Sequence, residues 1–195
     1  MKYNAYFGEE LMRRYLGDDP ELAQRLEHSI AVGELSFKVA KKIAERNPEL
    51  NIDVDLCEFL GYVHDIGYSV SAEKHEAYTV DILIRERFAS QIARRAIHGQ
   101  LVEQFGKKEG NIKRYMPIGI EGMILTYCDM SVKIGEPVAI RERAMEILER
   151  IKTISTISEQ LRKDIEENMY NALPRFERYE QIILALAGIN SVKEF

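Results

Sequence analysis

Only four histidines occur in the 195-residue chain, His28, His64, His75 and His98, and two carboxylates stand out beside them. Asp65 follows His64 directly. Asp129 lies in an unusually apolar stretch, with Leu125 and Val132 on its helix face and Cys128 and Met130 as its neighbours. A carboxylate in such a place is costly unless it is paired, hydrogen-bonded or bound to a metal. Imidazole nitrogens mixed with carboxylate oxygens suit a borderline divalent ion, and the chemistry such an ion brings is activation of water. Each residue also has a plainer reading. Asp129 can pair with Lys133 at the i+4 spacing. His28 falls in line with Val32, Leu35, Val39 and Ile43, as a core histidine would. His64 and Asp65 project about 100° apart on a helix, so they share an ion only if it lies between their directions, which a helix end at Gly67 makes easier.

The elements that must position these residues read as helices almost throughout. Asp19-Pro20-Glu21 has the form of a helix start, and the helix runs to about Arg46 before Asn47-Pro48. Asp53 caps a second helix that breaks at Gly67. Ser71 is the expected cap of a third over about 72–87, and a fourth covers about 90–98. The stretch from Gly99 to Met116, rich in Gly, Lys and Asn, is expected to be a mobile loop. Pro117 opens an apolar helix to about Ile134, Pro137 opens another, and two more span roughly 157–171 and 174–187. No strand is expected. The fold class is therefore all-α, a single domain over 1–195 with C-terminal helices in 151–195.

Composition bounds the rest. A formal charge of −5 argues against long nucleic acids as partners. Cys57 and Cys128 sit in apolar surroundings without a CxxC pattern and read as buried thiols in a reducing compartment. The first sixteen residues carry Glu9, Glu10, Arg13 and Arg14 where a signal peptide needs an apolar run. The expectation is a cytoplasmic protein with no membrane segment.

His64-Asp65-Ile66-Gly67 reproduces, letter for letter, the HDIG motif of the HD superfamily of metal-dependent phosphohydrolases. Leu26-Glu27-His28-Ser29-Ile30-Ala31-Val32 resembles that family's first-histidine helix, and Tyr127-Cys128-Asp129-Met130-Ser131 its last motif. The resemblance covers about residues 20–150. It implies a helical bundle in which His28, His64, Asp65 and Asp129 bind a first metal ion. His75 and His98 fall between the HD pair and Asp129, as in a bimetallic subgroup. There Asp65 bridges two ions, and His75 and His98 hold the second. Fe or Mn suits this set, with Zn, Ni or Co as alternatives.

What the resemblance implies for function is hydrolysis of a nucleotide or another small phosphate ester or anhydride. Asp65 is then both bridge and orienter of the nucleophile. Lys133 is a candidate for phosphate contact or catalysis, with an ion pair to Asp129 as the equal alternative. Arg94 and Arg95 are weaker candidates for substrate binding. The chain has Tyr68 where diadenosine-tetraphosphatase-like HD proteins carry a lysine, which separates it from their specific activity. Nothing from His98 to Met116 matches the Gly-Tyr-Pro motif of cyclic-di-GMP hydrolases. Two other readings stay open: an HD-fold diiron oxygenase, and a metal-containing ligand-binding module without turnover.

Overall fold

In the computed structural model, residues 3–17, 22–154 and 158–195 are described. The expected helix start at Asp19-Pro20-Glu21 lies outside them. Helices α1 (Ala5–Leu16), α2 (Ala23–Arg46) and α3 (Val54–Val63) pack together, with Asp53 capping α3 through the Leu56 amide at 3.0 Å. Leu11, Met12 and Leu16 of α1 meet Val39 and Ile43 of α2 and Phe59 and Leu60 of α3 in one apolar core. Alternation of these side chains at helical spacing is what drives each helix inward. α2 and α3 approach so closely that a Cβ on Gly61 would lie 2.6 Å from the Gly33 Cα, so only glycine fits there.

The middle of the chain is built from shorter pieces. α4 spans His75–Arg85 and begins after Lys74, so Ser71 does not cap it. α5 covers only Ser90–Ala93 and passes into a 3₁₀ turn over Arg94–Ala96, leaving His98 beyond the helix that was expected to carry it. The segment expected as a loop contains a π-helical turn, Val102–Gly106, and the short α6, Ile112–Tyr115. Its apolar residues are the reason: Leu101, Val102 and Tyr115 form a small buried cluster of their own with Phe105 and Met116 against it.

α7 (Gly119–Asp129) is shorter than expected, and a two-stranded hairpin follows it, β1 (Val132–Lys133) pairing with β2 (Glu136–Pro137). Its turn residues, Ile134 and Gly135, both have positive φ, 48° and 77°, as a two-residue turn joining twisted strands requires. Pro137 therefore sits in a strand, and α8 starts only at Ile140, ending at Thr153. The two expected C-terminal helices are one, α9 (Glu159–Ala187), which carries Pro174 inside it. Proline removes one backbone bond to Tyr170, a half-exposed residue, and packing of α9 on α2, α7 and α8 holds the helix continuous. Leu173, Phe176, Ile183 and Ala187 of α9 join the same core as α1–α3.

Candidate metal centre

The six residues singled out from the sequence converge on one point. α2 supplies His28, whose Nε2 lies 2.9 Å from Asp129 Oδ1 at the end of α7. α3 ends at Val63, so His64 and Asp65 sit on the turn rather than within the helix. That turn is fixed by Thr79 of α4, which donates to the His64 carbonyl at 2.8 Å and accepts from the Gly67 amide at 3.0 Å. A Cβ on Gly67 would stand 2.0 Å from the His75 carbonyl oxygen, so glycine at this place lets the turn close on the start of α4. His64 Nε2 then lies 3.5 Å from both Asp65 Oδ1 and Asp129 Oδ1.

His75 and His98 complete the cluster from the other side. Their Nε2 atoms are 3.2 Å apart, and His75 Nε2 is 3.8 Å from Asp65 Oδ1. Two groups of potential metal ligands result, His28 with His64 and Asp65, and Asp65 with His75 and His98. Asp65 belongs to both.

The side chains fit divalent ions on three counts. The Nδ1 atoms of His64, His75 and His98 lie 2.8, 3.1 and 3.2 Å from the carbonyls of Gly61, Ala72 and Ala96. A proton donated there leaves each Nε2 lone pair aimed into the cluster, the tautomer a ligand needs. His64 Nε2 is buried and lacks a hydrogen-bond partner among the described residues. The His75 and His98 nitrogens face each other lone pair to lone pair, which is repulsive unless a proton or cation lies near both.

The electrostatics agree. Burial alone would lower the His64 pKa, but the Asp65 and Asp129 carboxylates outweigh it and push it up to about 9. Burial would raise Asp65, yet His64, Arg25 and His75 hold it well below the usual carboxylate range. Asp129 is likewise held low, against its burial, by His28 and His64. His75 moves the other way: burial lowers it, only partly opposed by Asp65, and His98 beside it lowers it further.

Three residues at the site escaped the sequence reading. Arg25 puts NH1 3.2 Å from Asp65 Oδ2, with its guanidinium 3.9 Å from the Tyr68 ring centre, and Tyr68 stacks on His75 at 4.3 Å. Its signal was available, since it lies three residues before His28 on α2 and so shares its face. Glu76, almost wholly buried, accepts from the amides of Gly99 at 3.2 Å and Leu101 at 3.0 Å, fixing the loop that carries His98. Gln100 on that loop donates to Asp129 Oδ2 at 2.6 Å. From α9, Arg175 pins the same loop, donating to the Gly99 carbonyl at 2.7 Å and to Glu103 at 2.9 Å.

The sequence-derived cations fall elsewhere. α7 ends at Asp129, so Lys133 is on β1 rather than one helical turn further on, and its Nζ is 3.6 Å from Glu142. The ion pair with Asp129, one of the two equal alternatives for Lys133, does not form. Arg95 is 2.6 Å from Glu121, and Arg94 lines a cavity with residues of α4 and α6.

A family model for the HD domain matches residues 25–186. The chain belongs to the HD domain family. Its HD match begins beside His28 and continues through most of α9, beyond the stretch in which the motifs lie. No curated protein and no solved structure matches the chain. The HD fold, the histidine–aspartate cluster and the helical architecture together give a hydrolase-type scaffold with a site suited to divalent metal. No helix among the described residues is long and apolar enough to cross a membrane.

Proposed function

We propose that this protein is a cytoplasmic metal-dependent phosphohydrolase acting on a nucleotide or another small phosphate ester or anhydride. The observation that carries the reading is the sharing of Asp65 by two ligand groups, His28–His64–Asp65 and Asp65–His75–His98, with Asp129 closing the first. Two divalent ions, Fe or Mn, held by these six residues would supply a water of lowered pKa and neutralise charge on the phosphoryl group.

The chain's own groups do the rest. Asp65, kept ionised by His64, Arg25 and His75, is a permanent hydrogen-bond acceptor and orients the attacking water. Arg25 is the cation nearest the centre, and its guanidinium is part exposed while NH1 holds Asp65. A fork of five donors suits phosphate oxygens, so phosphate contact falls to Arg25 rather than to Lys133, Arg94 or Arg95. Gln100, through its bond to Asp129, fixes which carboxylate oxygen faces the centre. Free, buried Cys57 and Cys128, their thiols pushed up by burial, are consistent with a reducing compartment.

The test is a screen of nucleotides and phosphate esters with Mn(II)-reconstituted protein under anaerobic conditions, paired with elemental analysis. Phosphate release without oxygen is expected. Turnover only with Fe and oxygen would make the protein an oxygenase, and ligand-dependent melting without product would make it a binding module.

A further inference from the structure

On α4 a second feature lies away from the metal centre. Residues 76, 77, 80 and 81 all line one cavity of about 500 Å³. At about 100° per residue they centre on the helix face opposite His75. The opposite walls come from the 3₁₀ turn and from α6, and none of the six metal-site residues lines the space, while Glu76 in its wall lies 3.9 Å from His98 Nε2. Its volume falls within the range usual for small-molecule pockets, about 300–1,000 Å³.

The lining has a definite chemistry. Ala77, Val80 and Ile97 give it an apolar side, and the Tyr115 ring is held by a 2.8 Å bond from its hydroxyl to Glu109. Arg94 and Lys113 supply cations. Both are exposed, and neither side chain has an ion-pair or hydrogen-bond partner among the described residues. That contrasts with Arg95 on Glu121 and Arg25 on Asp65. Two uncommitted cations beside one concave apolar wall, in a chain of net charge −5, call for an anion. Of the two carboxylates in the wall, Glu76 is committed to the Gly99 and Leu101 amides. Asp81 is exposed and unpaired among the described residues, and its charge disfavours a polyphosphate.

We infer that this cavity binds a phosphate monoester with a small apolar or aromatic body, its phosphate between Arg94 and Lys113 and its body against Val80, Ile97 and Tyr115. The site is an effector position rather than the reaction centre. A ligand in it touches the Glu76 wall, and Glu76 holds the loop bearing His98 and Gln100. Binding itself does not depend on the chain being a phosphohydrolase.

Phenyl phosphate is a suitable probe, titrated into the metal-free 195-residue chain with methyl and histidine ring resonances as the readout. Saturable shifts at Val80 and Ile97 are expected. The double change Arg94→Ala with Lys113→Ala should weaken binding by about tenfold or more, as loss of charge-assisted bonds does, while leaving the circular dichroism unchanged. Asp65→Asn disables the proposed reaction centre and should leave probe affinity within about twofold, as distant sites do. The proposal is overturned if the double variant binds as the parent does, if Asp65→Asn abolishes binding, or if the probe shifts His28 and His64 instead of Val80 and Ile97. Failure of Asp65→Asn to lose hydrolysis would count against the proposed function only, so the two readings fail separately.

Discussion

The two halves of the centre are built differently. His28 and Asp129 come from α2 and α7, long or strongly apolar helices whose other residues form the core, and His64 is locked beneath them by Thr79 and Gly61. His75 and His98 come from the first residue of α4 and from a loop beyond a 3₁₀ turn. The first half is carboxylate-rich and raises its histidine, His64, to about 9. The second is buried imidazole against imidazole, and His75 is lowered. The contrast teaches that one half is a site by virtue of the fold's core. The other depends on a loop held by Glu76 and Arg175.

The hardest way to break that comparison is to remove what the halves share. Asp65→Ala should lower metal content from about two ions toward none and reduce turnover by more than the about 10–100-fold that outer partners of a metal site alone cost. Helicity should persist, since Asp65 lies on a turn. Full metal content by elemental analysis would show that Asp65 bridges nothing. The double change His75→Ala with His98→Ala should spare the first half. One ion should remain where the parent holds about two, and two retained ions would mean that these histidines serve substrate.

A subtler difference is protonic. The metal-free first half keeps a proton on His64 until pH rises through about 9, whereas buried His75, already lowered, is neutral sooner. Metal binds only the neutral imidazole. Uptake of the first ion at pH 7 should therefore release about one proton from His64, seen as a buffer-dependent heat, and affinity should rise with pH up to about 9. In the second step His75, lowered by burial, has almost no proton to give at that pH. The same raised pKa stabilises the metal-free fold fully below the unfolded histidine value of about 6.5. That contribution is lost as pH climbs through about 9. Equal proton release from both steps would erase the distinction.

The halves also differ in how well the sequence announced them. The family resemblance rests on His28 and Asp129, polar residues that stand out on the apolar faces of strongly periodic segments, and on His64-Asp65, which opens a four-letter motif at a helix end. Helical periodicity extends as far as His98, but the helix stops at Ala93, and nothing local marks the switch to a 3₁₀ turn. Proline misled twice: Pro137 lies in a strand and Pro174 within α9. Its fixed φ and missing amide are compatible with both, and tertiary packing decides. Glu76 and Gln100 take roles that arise from contacts across 25 and 29 residues, which no local pattern encodes, whereas Arg25 shares the α2 face of His28 three residues further on.

Glu76 tests whether the second half depends on its loop. Glu76→Gln keeps one acceptor for the Gly99 and Leu101 amides but loses the other and the charge. Affinity for the second ion should fall by about 10–100-fold, as with other outer partners of metal ligands, with a smaller loss at the first ion, which the loop reaches only through Gln100 on Asp129. An equal loss at both halves in a metal titration would place Glu76 in the fold rather than in the loop's support.

The smallest effect is expected where the sequence pointed to Lys133. A lysine four residues after Asp129 would lie beside it only if α7 continued, and α7 stops at Asp129 because the chain turns into the β1–β2 hairpin. The Lys133 ammonium instead meets Glu142 at 3.6 Å, with both side chains substantially exposed, 35% and 54%. Exposed pairs of this kind contribute about 0–1 kcal/mol. Lys133→Ala should therefore shift stability by no more than that, with metal content and the pH dependence of metal uptake unchanged. In the substrate screen its KM should stay near that of the parent while Arg25→Ala raises KM by about tenfold or more, the usual loss for a charged hydrogen-bond partner. The reverse ranking would move phosphate recognition from the α2 side of the centre to the hairpin.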